Sequence, residues 1–351
     1  MRPFPRHVQL LRLASLAVIV LHLCSHPAGS QGQAVRITGA GATFPYPLYS
    51  AWFAEYSKVH PDLQVNYSSI GSGAGIQQLM EAIVFFGATD APMTEEEMQE
   101  ARGRLLHLPA AIGAVVPVYN LPGLKGSVKF TGPVLANMFL GKISSWNDPA
   151  IARLNADLTL PPIEITTVHR SDASGTSYIW GDFLSKTSDD WRRLFGPNRH
   201  PNLPVGTGVK GSEGVSAIVK QTPGAIGYVE LAYAARNGLE MGLVQNAAGE
   251  FVKASAASMT AAAAAAIGKI PRDFRVSITN APGRGVYPIS SFTWILLYQN
   301  PRDKRRGQSM VDFIKWALTE GQQRAPDLGY GPLPPEIVAL EMAAIATIKV
   351  S

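Results

Sequence analysis

Apolar residues along this chain keep two rhythms. One repeats every three to four positions; the other alternates or runs unbroken for five to seven. Leu48, Trp52, Phe53 and Tyr56 recur at helical spacing after Pro45 and Pro47, and Ile76, Leu79, Met80 and Ile83 do the same. Further helices are predicted from the capping-box spacing of Thr94 and Glu97, near 131–141, and near 149–154, where Pro149 suits a first turn. Another follows Ser174 with Tyr178, Ile179, Phe183 and Leu184, and Ser212 is read as the cap of one carrying Val215, Ile218 and Val219. The alanine-rich stretch 254–266 and segments 307–319 and 334–347 complete the helical set. Strands are predicted at 34–37, 63–67, 85–88, 114–119, 163–168, 225–229 and 292–298. This alternation argues an α/β protein with largely parallel sheets covered on both faces. No fixed-period repeat and no long Pro- or Ser-rich linker appears, so two domains would have to be joined by strands.

The first thirty residues break the pattern. Arg2, Arg6 and Arg12 precede a short apolar run at 13–21, and Ala28 and Ser30 stand where a cleavage site needs small residues. Residues 1–30 are expected to be a secretory signal peptide; the run is short for a membrane span. The whole chain has 31 basic and 26 acidic residues, a formal +5; without those three arginines 28 remain against 26, or +2. That removes the support for nucleic-acid binding, which needs a basic stripe. Cys24, the single cysteine, lies in the same segment behind Leu23, where a lipid-acceptor signal expects a small residue. Ordinary cleavage into the periplasm is therefore expected over lipoprotein anchoring.

Three segments are poor in bulk and rich in donors: Gly39-Ala40-Gly41-Ala42-Thr43-Phe44-Pro45, Gly71-Ser72-Gly73-Ala74-Gly75 and Arg170-Ser171-Asp172-Ala173-Ser174-Gly175-Thr176-Ser177. Each precedes a helical pattern. Such a loop points free N–H groups and the positive end of a helix dipole at one place, which favours anions. Three of them, one with an arginine, suit a tetrahedral oxyanion. The histidines His60, His107 and His200 are dispersed, so neither a metal nor another cofactor is implied.

Five motifs in order resemble the phosphate-specific substrate-binding protein family of bacterial phosphate ABC transporters. They are residues 38–45, 70–75 (Ile70-Gly71-Ser72-Gly73-Ala74-Gly75), 86–92 (Phe86-Gly87-Ala88-Thr89-Asp90-Ala91-Pro92), 170–177 and 223–230 (Pro223-Gly224-Ala225-Ile226-Gly227-Tyr228-Val229-Glu230). The resemblance covers roughly 36 to 348. It implies a two-lobed periplasmic-binding-protein fold (type II), with a ligand cleft between lobes joined by two hinge strands. Lobe one would comprise 31–113 and 288–351, and lobe two 114–287. It places phosphate contacts on Thr43, Phe44, Ser72, Asp90, Arg170, Ser174, Gly175 and Thr176, with Asp172 orienting Arg170. It implies a monomer that serves a permease and ATPase complex. Ala173 and Phe85 depart from the family's usual residues, and His169, beside Arg170, is expected to be a solvated or satisfied histidine.

Phosphate at neutral pH still carries a proton and sulfate does not. An ionised Asp90 would accept a hydrogen bond from that proton and face only lone pairs on sulfate, a mismatch of about 1–3 kcal/mol or more. Arg170 would make planar, charge-assisted bonds to oxygen pairs. An enzyme using Ser72 or Ser174 as nucleophile is the main alternative. No nucleophile elbow with a base accompanies either serine, so binding without catalysis is expected. A sensor or adhesin using the same site, or arsenate in place of phosphate, is indistinguishable in sequence. Trp52, Trp180, Trp294 and Trp316 are expected in the core.

Overall fold

Fifteen consecutive residues, Leu105–Tyr119, form one strand that is buried along its whole length. The computed structural model describes residues 34–350; the leader and Cys24 lie outside the described residues. In chain order the strands are β1 (Val35–Gly41), β2 (Leu63–Ser69), β3 (Phe86–Thr89), β4 (Leu105–Tyr119), β5 (Lys129–Phe130), β6 (Thr166–Arg170), β7 (Thr207–Val209), β8 (Ala225–Glu230), β9 (Glu240–Met241), β10 (Leu243–Gln245), β11 (Phe251–Val252) and β12 (Ser290–Tyr298). One sheet runs β2-β1-β3-β12-β4-β8-β6-β7, with β9 also on β4; a small sheet runs β11-β10-β5.

The sheet is mixed, which corrects the expectation of a largely parallel one. The outer strands pair in parallel, β1 with β2 and β3, and β6 with β7 and β8. Its centre is antiparallel. β12 pairs with β3 and with β4, and β4 then pairs with β8. β4 changes partner between Ala114, opposite Ser290 of β12, and Val115, opposite Glu230 of β8. One continuous strand thus belongs to both halves of the sheet. The segment 105–113 was not predicted as strand: its apolar run is broken by His107, Pro109 and Gly113. The ladder absorbs Pro109 at an irregularity, where Thr293 faces Ala111 and Trp294 faces Pro109. This leaves Ala110 as the extra residue of a bulge. Its carbonyl accepts instead from Gln322 Nε2 at 2.8 Å.

Helices cover both faces, as the amphipathic patterns require. Tyr46–Val59, Ser72–Met80, Gly175–Thr187, Gly211–Gln221, Ala256–Ala264, Lys304–Leu318 and Pro335–Ile345 all fall within predicted segments or a few residues from them. The Thr94/Glu97 capping box forms as read. Ile83 does not join its predicted helix. The helix ends at Met80, Ala82 takes a left-handed φ of 61°, and the Ile83 N–H closes back on the Gln78 carbonyl at 2.9 Å. Ile83 is left 60% exposed. The strand expected from 163 begins only at Thr166, and the helices Asp189–Leu194 and Leu231–Asn237 were not anticipated. Trp52, Trp180 and Trp294 are buried core residues, while Trp316 is half-buried against the core.

Candidate functional site

The first glycine segment is the end of β1. Gly41 has φ 146°, and a Cβ there would lie 2.0 Å from the Ala88 carbonyl oxygen, so only glycine lets β1 run this close to β3. The chain then turns through Thr43 into the helix Tyr46–Val59. β2 ends at Ser69 and leads through Gly71 into Ser72–Met80; β3 ends at Thr89 and presents Asp90; β6 ends on Arg170 and leads through Ser174 into Gly175–Thr187. Ser174 caps that helix by accepting from the Ser177 N–H.

These four strand ends meet. Thr43, Phe44, Ser72, Asp90, Arg170, Ser174, Gly175 and Thr176 are all buried. Ser72 Oγ accepts from the backbone N–H of Asp90 at 3.2 Å and of Gly175 at 3.1 Å, and lies 3.4 Å from Asp90 Oδ2. Arg170 Nη1 donates to Thr43 Oγ1 at 3.1 Å and reaches Thr176 Oγ1 at 3.5 Å. Its Nε donates to Asp172 Oδ1 at 2.7 Å, and its Nη2 pairs with Asp172 Oδ2. Asp172 therefore grips the outer edge of the guanidinium in a bidentate pair and leaves Nη1 directed at the cluster. The Gly73 N–H donates to the Ala173 carbonyl at 2.9 Å, so the second and third segments touch through backbone. A Cβ on Gly175 would stand 2.4 Å from Ser72 Oγ and 2.7 Å from Asp90 Cβ, which is why glycine occupies that position.

The two carboxylates differ in electrostatics. Burial pushes Asp90 up to about 7; the Thr293 hydrogen bond, the Arg170 charge and the Ser72 hydrogen bond pull the other way. For Asp172 burial also acts upward, but the Arg170 hydrogen bond and charge, with the Gly211 N–H, outweigh it and hold the carboxyl below its ordinary range.

Phe44 and His169 play quieter parts. The Phe44 ring lies over Gly113 of β4, where a Cβ would come within 2.1 Å of it, and its carbonyl accepts from Tyr330 Oη at 2.7 Å. His169 is half-buried with Nδ1 3.2 Å from its neighbour's carbonyl oxygen. Ser212, read as a helix cap, is corrected: Lys210 occupies the cap position, and Ser212 Oγ sits 3.0 Å from Thr43 Oγ1.

Sequence reasoning missed three contributors. Thr293 is fully buried on β12, at the bulge, and donates to Asp90 Oδ1 at 2.7 Å. A lone threonine inside the apolar run 292–298 was its available signal. Tyr233 Oη lies 2.8 Å from the Thr43 carbonyl and 2.9 Å from Glu213 Oε1, and no local pattern marked it. Gly211 donates its N–H to Asp172 Oδ1 at 3.2 Å, after a left-handed turn that its glycine announces. Among the described residues no group of three His, Cys, Asp or Glu is placed to hold a metal ion.

An α/β sheet shared by two lobes, with loop and helix N-termini converging beside the strand they share, defines a binding protein of the periplasmic class. The PBP superfamily domain matches residues 27–320. The phosphate-binding protein PstS of Xylella fastidiosa (strain Temecula1) is 45% identical over 313 residues, 89% of this chain and 85% of that one. The chain belongs to this PBP superfamily and, within it, to the PstS family. Solved structures of like fold include a phosphate-binding protein from Stenotrophomonas maltophilia, with a TM-score of 0.66 and 21% identity over 88% of this chain and 94% of that one. An ABC-type phosphate transport receptor from Vibrio cholerae has a TM-score of 0.57 and 17% identity over 85% and 100%.

Proposed function

We propose that this chain binds inorganic phosphate in the cell envelope and delivers it to an ABC-type importer. The observation that carries the reading is one buried cluster built from four separate strand ends: Arg170 donates to Thr43 and reaches Thr176, while Ser72 accepts from the Gly175 N–H and lies beside the buried carboxylate of Asp90. A set of donors with a single acceptor matches an oxyanion that keeps one hydrogen. Phosphate oxygens take over contacts that these groups now make with one another. Arg170 and the N–H groups receive the charge, and Asp90 accepts from the ligand's O–H. Arg170 is pre-set by Asp172, so little ordering is left for the binding step.

The remaining assignments rest on the same reading. Ser174 fixes the third segment as its cap and Phe44 anchors the first, with its N–H among the ligand donors. The lobes are 31–113 with 288–351, and 114–287; the change of partner along β4 at Ala114 and Val115 supports that division. Residues 1–30 act as a cleaved leader to the periplasm. No helix among the described residues is long and apolar enough to cross a membrane. The protein works as a monomer, presents its load to a permease and ATPase complex, and turns nothing over.

Calorimetric titration with phosphate, arsenate and sulfate tests this. The expected result is one phosphate per chain, arsenate competing and sulfate weak. Equal affinity for sulfate, or release of phosphate from a chromogenic ester that Ser72→Ala abolishes, would overturn it.

A further inference from the structure

A second opening lies at the other end of the same strands, away from the cluster. A cavity of about 440 Å³ opens where β1 and β4 begin and β12 ends, against the turn that follows the helix Ser72–Met80. It is within the range of small-molecule sites, roughly 300–1,000 Å³. From Phe85, on its wall, to Asp90 the chain advances five residues along β3, about 17 Å at strand rise. No residue of the phosphate cluster lines it.

Its lining has two chemistries. Leu79, Val84, Phe85 and Leu297 form an apolar floor, and exposed Ile83 extends it to the surface. Around that floor stand Arg102, Arg104, Arg302 and Arg306. Arg306 reaches Asp303 at 3.4 Å; the guanidinium groups of Arg102, Arg104 and Arg302 have no partner among the described residues. Tyr298 also lines the wall, and its buried hydroxyl has no hydrogen-bond partner among the described residues. A buried orphan hydroxyl costs free energy that a ligand oxygen restores. The wall beside Ile83 is held by Ala82 in a left-handed conformation, a strain of order 1–3 kcal/mol that surroundings must stabilise.

We propose that this cavity binds a small amphiphilic anion, an apolar chain ending in a phosphate, sulfate or carboxylate group. The chain lies on the Leu79–Phe85–Leu297 floor. The head meets the unpaired arginines, whose planar forks suit an oxyanion, and accepts from Tyr298 Oη.

The test is calorimetric titration of the protein with decyl phosphate below its micelle threshold. Decyltrimethylammonium, inorganic phosphate and anionic phospholipid vesicles serve as comparison titrants. One decyl phosphate should bind per chain, equally well in Arg170→Ala, which disables the phosphate cluster and separates this proposal from the functional reading above. The exposed double variant Arg104→Glu/Arg302→Glu should weaken decyl phosphate at least tenfold with phosphate affinity unchanged, and Tyr298→Phe should weaken it a few-fold. Equal binding of the cationic amphiphile would overturn the proposal. So would loss of decyl phosphate binding in Arg170→Ala, insensitivity to the arginine charge reversal, or binding of the vesicles alone, the last pointing to a membrane surface. Saturation of the cavity by inorganic phosphate would equally remove the need for an apolar tail.

Discussion

Asp90 at the end of β3 and Asp172 just beyond β6 are the same residue type, and their neighbourhoods make them opposites. Asp90 is buried, with Thr293 on one oxygen and Ser72 near the other, and its carboxyl is raised to about 7. Asp172 keeps some exposure, grips Arg170 with both oxygens, and is held below its ordinary range. The first can gain or lose a proton near neutral pH; the second stays charged and supports the arginine. Role follows from desolvation and partner, since the intrinsic acidity is shared.

The largest effect that would break this contrast is removal of its shared cation. Arg170→Ala should cut phosphate affinity on the order of 100-fold or more, because charge-assisted bonds contribute about 1.5–3 kcal/mol each. Calorimetry should show less than twofold change for the exposed control Lys58→Ala, and parity between the two variants would reject the assignment. Asp90→Asn tests the other side. The phosphate-over-sulfate preference should shrink by roughly tenfold or more, as an uncharged amide no longer penalises sulfate. Unaltered sulfate competition would remove Asp90 from that role.

Asp172→Asn should be milder, about tenfold in phosphate affinity, with the sulfate ratio unmoved, because it loosens Arg170 and leaves the acceptor intact. A changed sulfate ratio would merge the two carboxylates into one function. Thr293→Val keeps the shape and deletes the donor to Asp90 Oδ1. It should displace the Asp90 titration, followed by carbon NMR, to higher pH and weaken phosphate a few-fold; an unmoved titration would make Thr293 merely a packing residue.

The smallest readout is stability against pH in the ligand-free protein. Asp90 is raised when folded, so the unfolded chain loses this proton first and stability falls as pH climbs from about 4 to about 7. Buried His107 is lowered to about 3 by burial first, with the Arg275 charge acting the same way. Its contribution is complete above about 6.5 and fades as pH drops toward 3. The two trends oppose, so the wild-type profile is shallow. The difference between Asp90→Asn and wild type isolates one of them. The variant should melt a few degrees higher at pH 8 and coincide with wild type near pH 4; a pH-independent difference would contradict the burial effect.

Much of this is legible in the sequence. Glycine at 41, 71 and 175, hydroxyls at 43, 72 and 174, and the Arg170–Asp172 pair advertise their chemistry locally, because turns, caps and i,i+2 ion pairs depend on near neighbours. The alanine-rich helix and the capping box at Thr94 were equally plain. The extension of β4 through Pro109 was not, since a bulge that tolerates proline exists only once β12 lies alongside. Ile83 left its helix because a left-handed turn at Ala82 overrode the apolar period.

Taken alone, the order of residues determined which groups would hold charge, which backbones would bend, and that hydroxyl and N–H donors would gather at three helix mouths. Tertiary structure decided that those mouths face one another, and that Thr293, from the far end of the chain and beside a bulge, holds Asp90. It also decided that arginines at 102, 104 and 302 surround a single cavity. Local propensity is written in neighbouring residues, whereas desolvation and contact between segments more than a hundred positions apart arise only when the sheet closes.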